Sequence, residues 1–236
     1  MIRLPDFSLA FDGGLAITSD RVRLLDSAFV ADDLRIVDVG IGITGDGFDG
    51  GFGGFRVAVN RGLPWLGATS GADPLRSRPG ASGDFTRLSL DGRYQQPLGG
   101  DFSALLTFQA QAALTPLPAS QQFTLGGGRI GRGYDPSELA NDSGWAAGLE
   151  LRYDVSVEPG FFTSLQPFVF FDSGKVWSYD PPRDGRSLSS TGAGLRATFE
   201  HGVAASLTAA RPLTLSPSDA PGRHPVRFLF DLSVSF

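Results

Sequence analysis

Two groups in this chain have the type and spacing for more than packing. The first is Arg132, set among Gly126, Gly127, Gly128, Gly131 and Gly133 and followed by Tyr134. A loop this rich in glycine can fold back tightly and run close against a wall. Its arginine carries a planar fork that suits a carboxylate. The second is Asp172, within Phe170-Phe171-Asp172-Ser173-Gly174 on an alternating stretch. The chemistry on offer is ion pairing that fixes where a loop rests. The plain alternative leaves Arg132 as a solvated loop arginine and Asp172 as a turn residue.

Other chemistries find little support. There is no cysteine, hence no thiolate and no disulfide framework. His201 and His224 fall in apparent turns with no partner at metal-ligand spacing, and neither serves as the base of a serine hydrolase. Gly126-x-Gly128-x-x-Gly131 satisfies the dinucleotide fingerprint literally, but that motif must open a helix, and Asp135-Pro136-Ser137 breaks one. No convergent catalytic set is present, so the expectation is a non-enzymatic chain with no cofactor and no metal. Net charge is -5 with acids and bases scattered, which gives no footprint for nucleic acid.

The elements that must hold these groups are strands. Apolar residues recur with period two, hardly ever with helical spacing. Val37, Val39, Ile41 and Ile43 share one face of a stretch from Leu34 to Thr44, against Asp38, Gly40 and Gly42. Phe102, Ala104, Leu106, Phe108, Ala110 and Ala112 oppose Ser103, Thr107, Gln109 and Gln111, with Leu105 the exception. Trp145 to Val157 alternates throughout, with Glu150 and Arg152 on its polar side. Shorter runs around Val57, Leu90, Leu195 and Leu207 follow the same rule. Phe7 to Leu25 reads as one long strand, or two. About ten strands result, with long polar connections at Gly67–Gly83 and Gln122–Ser143 and short ones elsewhere.

Several of these strands reach the length that crosses a bilayer at a tilt, and their two faces suit two different solvents. The last strand sets Phe228, Phe230, Leu232, Val234 and the terminal Phe236 against Arg227, Asp231 and Ser233. A strand ending on an aromatic carboxy-terminus resembles the signal by which barrel-assembly machinery handles bacterial outer-membrane barrels. The competing reading is a soluble sandwich whose apolar faces pack a core. Trp65, Trp145 and Trp177 either join an interfacial girdle or simply pack. No apolar run is long enough for a transmembrane helix, and Met1 to Asp6 does not begin a signal peptide.

Leu117-Pro118-Ala119-Ser120-Gln121-Gln122-Phe123-Thr124-Leu125-Gly126-Gly127, followed by Arg132-Gly133-Tyr134, resembles the hallmark loop of two-partner-secretion transporters of the hemolysin secretion/activation type. Phe170, Asp172 and Gly174 match the second hallmark of that family, an F-x-D-x-G motif, in order and spacing. The patches Arg61–Ala68 and Gly83–Leu88 are also family-like. The resemblance implies a transmembrane antiparallel β-barrel in the bacterial outer membrane, of which residues 1–236 form the C-terminal portion. It would supply about ten of sixteen strands and form an open sheet by itself. A signal peptide, two periplasmic POTRA domains and about six strands would precede it.

The implied function is a pore that exports a large partner exoprotein. The Arg132-Gly133-Tyr134 loop would be inserted in the lumen as part of its gate, paired with the Asp172 strand in a water-filled pore. Gly131 departs from the family's valine and is expected to loosen the loop tip. Barrel-assembly proteins of the same superfamily are the nearest alternative; a plain porin or an outer-membrane enzyme is a more distant one.

Overall fold

The structure is a computed structural model and describes residues 7–25, 27–157, 162–179 and 185–235. Period-two alternation becomes one antiparallel sheet because each strand can then turn its two side-chain sets to two environments. Its strands are β1 (Phe7–Leu24), β2 (Ser27–Asp46), β3 (Phe52–Gly62), β4 (Thr86–Gly99) and β5 (Phe102–Ala113). A small hairpin follows, of β6 (Phe123–Leu125) and β7 (Leu139–Asn141), which pair only with each other. The sheet resumes with β8 (Ser143–Tyr153), β9 (Phe162–Trp177), β10 (Arg186–Phe199), β11 (Val203–Pro212) and β12 (Arg227–Val234). Sheet order follows chain order from β1 to β12, so neighbours in sequence pair in space and both edges stay open.

Residues Phe7 to Leu24 form one strand, not two, paired along its length with β2. The strand expected to reach Val157 ends at Tyr153, leaving Val155 in a single bridge to Leu165. Long connections (63–85, 114–142 and 213–226) lie at one end of the sheet, together with the β9–β10 connection. Short turns after β2, β4 and β10 lie at the other. Outer-membrane barrels put their long loops outside and their short turns in the periplasm.

The two faces are inverted relative to a soluble protein. Phe11, Ile41, Val57, Leu149, Phe171 and Phe230 all stand exposed, on strands from one edge of the sheet to the other. The opposite face buries Asn60, Gln111, Glu150, Arg152, Asp172 and Thr208. A continuous apolar exterior of this extent marks contact with lipid or another apolar partner. Among the described residues no helix is long and apolar enough to cross a membrane; the strands, most of them 10 to 20 residues long, have the length to do so. Phe228 and Phe230 stand on the exposed face of β12; Phe236 lies outside the described residues.

Alternation also misleads at one place. Leu34 and Ile36 lie on the polar side of β2, where they are buried with Phe85, Ala113 and Leu117. This apolar knot sits at the outer end of the sheet, beneath the β3–β4 connection.

Candidate functional site: a loop pinned to the polar face

The connection between β5 and β8 folds back across the polar face. Its own apolar residues give it a core: Phe123, Leu125, Ile130, Tyr134 and Leu139 are buried against Ala146 of β8, Val176 of β9 and Leu188 of β10. Full burial of a side chain of this size contributes roughly 1.5–3 kcal/mol. Packing therefore holds the body of the loop, and polar groups decide its register.

Arg132 at the tip is 5% exposed. Its Nε donates to Asp172 Oδ2 at 2.9 Å and a terminal nitrogen donates to Oδ1 at 2.7 Å, a bidentate fork. The backbone N–H groups of Gly131 and Arg132 donate to the same Oδ2 at 2.9 and 3.1 Å. The remaining guanidinium nitrogen donates to Glu150 Oε1 at 2.5 Å. Phe170, two residues before Asp172 and on the same face, stacks against the guanidinium with 3.5 Å from Arg132 Cζ to the ring centroid.

Glu150 does not stop at Arg132. Arg152 donates to it from Nε at 2.8 Å, and Arg196 of β10 reaches it at 3.0 and 3.1 Å while lying over the Phe168 ring. Three arginines and two carboxylates thus form one network across β8, β9 and β10, buried except at the partly exposed Arg196. A water-filled surrounding, as expected from the resemblance, is not what the pair meets: Asp172 is fully buried. The interaction is accordingly more consequential than an exposed ion pair of about 1 kcal/mol, because losing one partner leaves the other charge buried.

The neighbouring residues extend the contact to a fourth strand. Tyr134 is buried and donates its hydroxyl to the Ser189 carbonyl at 3.0 Å. Gly133 lies so close to β10 and β11 that a Cβ there would meet Pro212 N and Ser190 Cβ at 2.8 Å. Gly174 leaves room for Leu125, whose methyl carbons would stand 2.8 and 2.9 Å from an added Cβ.

Gly131 corrects the expectation of a loosened tip. It adopts φ +89°, a conformation strained for any L side chain, and closes a turn in which Tyr134 N donates to its carbonyl at 2.9 Å. Glycine here makes the turn tight and aims an N–H at Asp172.

In the sequence, Glu150 and Arg196 stand out only as ordinary polar-face residues. Their signal was weak but present: a carboxylate on the face where Arg132 would have to land, and an arginine following Gly192 and Gly194 on the same face of β10. No residue of the dinucleotide-like stretch opens a helix, and Ser137 sits at φ +60° where that helix would run.

Gly133→Ala is expected to lift the tip at a cost of about 1–3 kcal/mol, the usual range for overpacking. Trypsin cleavage at Arg129, which is exposed on the loop, should accelerate; an unchanged rate would mean the tip is held elsewhere.

An open antiparallel sheet of membrane-crossing length, apolar on one face and pinned to an arginine loop on the other, is the wall of an outer-membrane β-barrel. The family model for haemolysin secretion/activation protein ShlB/FhaC/HecB matches residues 6–197. The chain belongs to that family. It is also similar to the outer membrane transporter CdiB of Dickeya dadantii (strain 3937), 32% identical over 106 residues, which are 45% of this chain and 19% of that protein. Among solved structures it resembles CdiB from Escherichia coli, with TM-score 0.82 and 26% identity over 98% of this chain and 42% of the other. The chain therefore spans less than half the length of these relatives.

Proposed function

We propose that this chain forms the C-terminal wall and gating loop of an outer-membrane pore that exports one large exoprotein from the periplasm to the cell surface. The observation that carries this reading is the Arg132 loop, docked on the polar face where it would stand inside a closed barrel and occupy the path of a client. Arg132, Gly133 and Tyr134 set the loop's position; Phe170, Asp172 and Gly174 form its seat. Family membership and the likeness to two CdiB transporters support export over a plain porin, which would have no use for such a seat. Transport of this kind alters no covalent bond in the client and draws on no nucleotide or metal.

Edge strands β1 and β12 carry rows of N–H and C=O groups that lipid cannot satisfy. In the membrane the sheet would close with further strands, in keeping with a sixteen-stranded barrel whose earlier part carries periplasmic POTRA domains. Phe228, Phe230 and Phe236 would present the last strand to the barrel-assembly machinery.

Deleting the gene and comparing proteins released to the medium and cell surface tests the reading. Loss of one large exoprotein, restored by the full-length transporter, is the expected result. A general fall in other outer-membrane barrels, with no specific exoprotein missing, would instead favour an assembly role.

A further inference from the structure

A second carboxylate, remote from the Arg132 network, gathers the outer loops. Asp142, between β7 and β8, is 2% exposed. Its Oδ1 accepts from the Leu117 N–H at 3.1 Å, and its Oδ2 from the Tyr179 N–H at 3.0 Å. Arg78, from the β3–β4 connection, forms an ion pair with it and also donates to the Leu117 carbonyl at 2.7 Å. Burial raises the Asp142 pKa, but the bonds from Arg78, Tyr179 and Leu117 outweigh it, and the group lies below the ordinary aspartate value. Arg78 from the β3–β4 connection, Leu117 from the start of the 114–142 connection and Tyr179 just after β9 thus meet at one ionised group.

The β3–β4 connection is laid across strand ends by further bonds. Ala31 N donates to Leu75 O at 2.7 Å, Asp33 N to Thr69 Oγ1 at 2.7 Å, and Ala119 N to Ser77 Oγ at 2.9 Å. Beneath it lies the knot of Leu34, Ile36, Phe85 and Leu117. Together these cover the outer end of the polar face along this arc of the barrel.

We propose that Asp142 is a positioning residue for export: through Arg78 it latches the β3–β4 connection over the outer mouth, and separation of that pair opens the exit. This rests on the pore reading above. The chemistry suits a latch that reopens. Arg78 has a side chain 27% exposed, so it can leave toward water. Asp142 then keeps its two backbone N–H partners, so the carboxylate left behind stays hydrogen-bonded and carries part of its solvation with it. The Arg132 loop, held by its own apolar core, need not move for this to happen.

The test uses the full-length transporter in planar bilayers with potassium chloride as the conducted salt, and whole cells challenged with vancomycin. Arg78→Ala should raise the open fraction several-fold and sensitise cells to the antibiotic. The chain has no native cysteine, so Ser77→Cys with Ala119→Cys can be added to that variant to tie the lid down. Oxidation should then close the channel and reductant reopen it, which a folding defect could not imitate. An open fraction equal to the parent's for Arg78→Ala, or one indifferent to the cross-link, overturns the latch. These readouts need no client, so the latch can fail while export stands, and the reverse.

Discussion

Arg132→Ala is expected to free the tip of the loop while leaving the barrel assembled. Removing this one side chain takes the bidentate partner from Asp172, which is fully buried, and one of three arginines from Glu150. Breaking a buried pair from one side typically costs about 3–5 kcal/mol. Against that stand the hydrophobic contacts of Phe123, Leu125 and Leu139, which Arg132 does not make. The body of the loop, with Ile130 and Tyr134 in its core, therefore stays docked and the tip at Gly131 and Arg132 lets go. Hydrogen exchange at the Gly131 and Arg132 amides, both donors to Asp172, reads this directly: protection should fall by about two to three and a half powers of ten, as that free energy implies. Secretion through the full-length transporter should drop or lose its regulation. Arg132→Lys should fall between, since a point charge cannot bridge Asp172 and Glu150 together. Unchanged exchange and unchanged export with alanine would remove Arg132 from the gate.

The second large effect separates the two faces of one strand. Leu149 is 52% exposed on the apolar side of β8, with Gly148 beside it on the polar side. Leu149→Arg puts a guanidinium into hydrocarbon, at a cost of roughly 2–4 kcal/mol near the midplane. It should lower the urea midpoint of the barrel folded into vesicles and reduce the assembled, heat-modifiable band. Gly148→Arg acts differently. A Cβ at Gly148 would already meet Asp172 Oδ1 at 2.9 Å and Ile130 Cγ1 at 3.6 Å, so the polar side is filled by the docked loop and is not open water. The barrel should assemble, and the loop should be found released, with the same loss of amide protection as in Arg132→Ala. Equal tolerance of arginine at both positions would mean that the facing of β8 is misassigned.

How the chain came to be readable follows from its two solvents. A strand between lipid and a polar interior must alternate, and the register of alternation names the lipid face without reference to any other strand. Val39, Ile41 and Ile43 or Trp145, Leu149 and Leu151 needed only their own spacing. Glycine density around Arg132 and the Phe170-x-Asp172-x-Gly174 stretch were local as well, so both halves of the site were visible before any fold. What each half touches was not local. Glu150 lies 18 residues from Arg132 and Arg196 lies 46 from Glu150; only strand pairing brings them within hydrogen-bonding reach.

The same limit accounts for the misreadings. Gly131 looked like a loosened valine position because its φ of +89° belongs to a turn closed by Tyr134 and Asp172. Leu34 and Ile36 broke the alternation because a loop from residues 63–85 comes to rest on them. Asp142 gave no sign of joining three connections, since the partners arrive from 25 to 64 residues away. The sequence by itself determined the strands, their lipid-facing sides and the two halves of the loop site, because those depend on alternation and local backbone freedom. Tertiary structure alone decided that the site is buried, that Glu150 completes it and that Asp142 gathers the outer loops, because burial and charge pairing depend on which distant segments the sheet brings together.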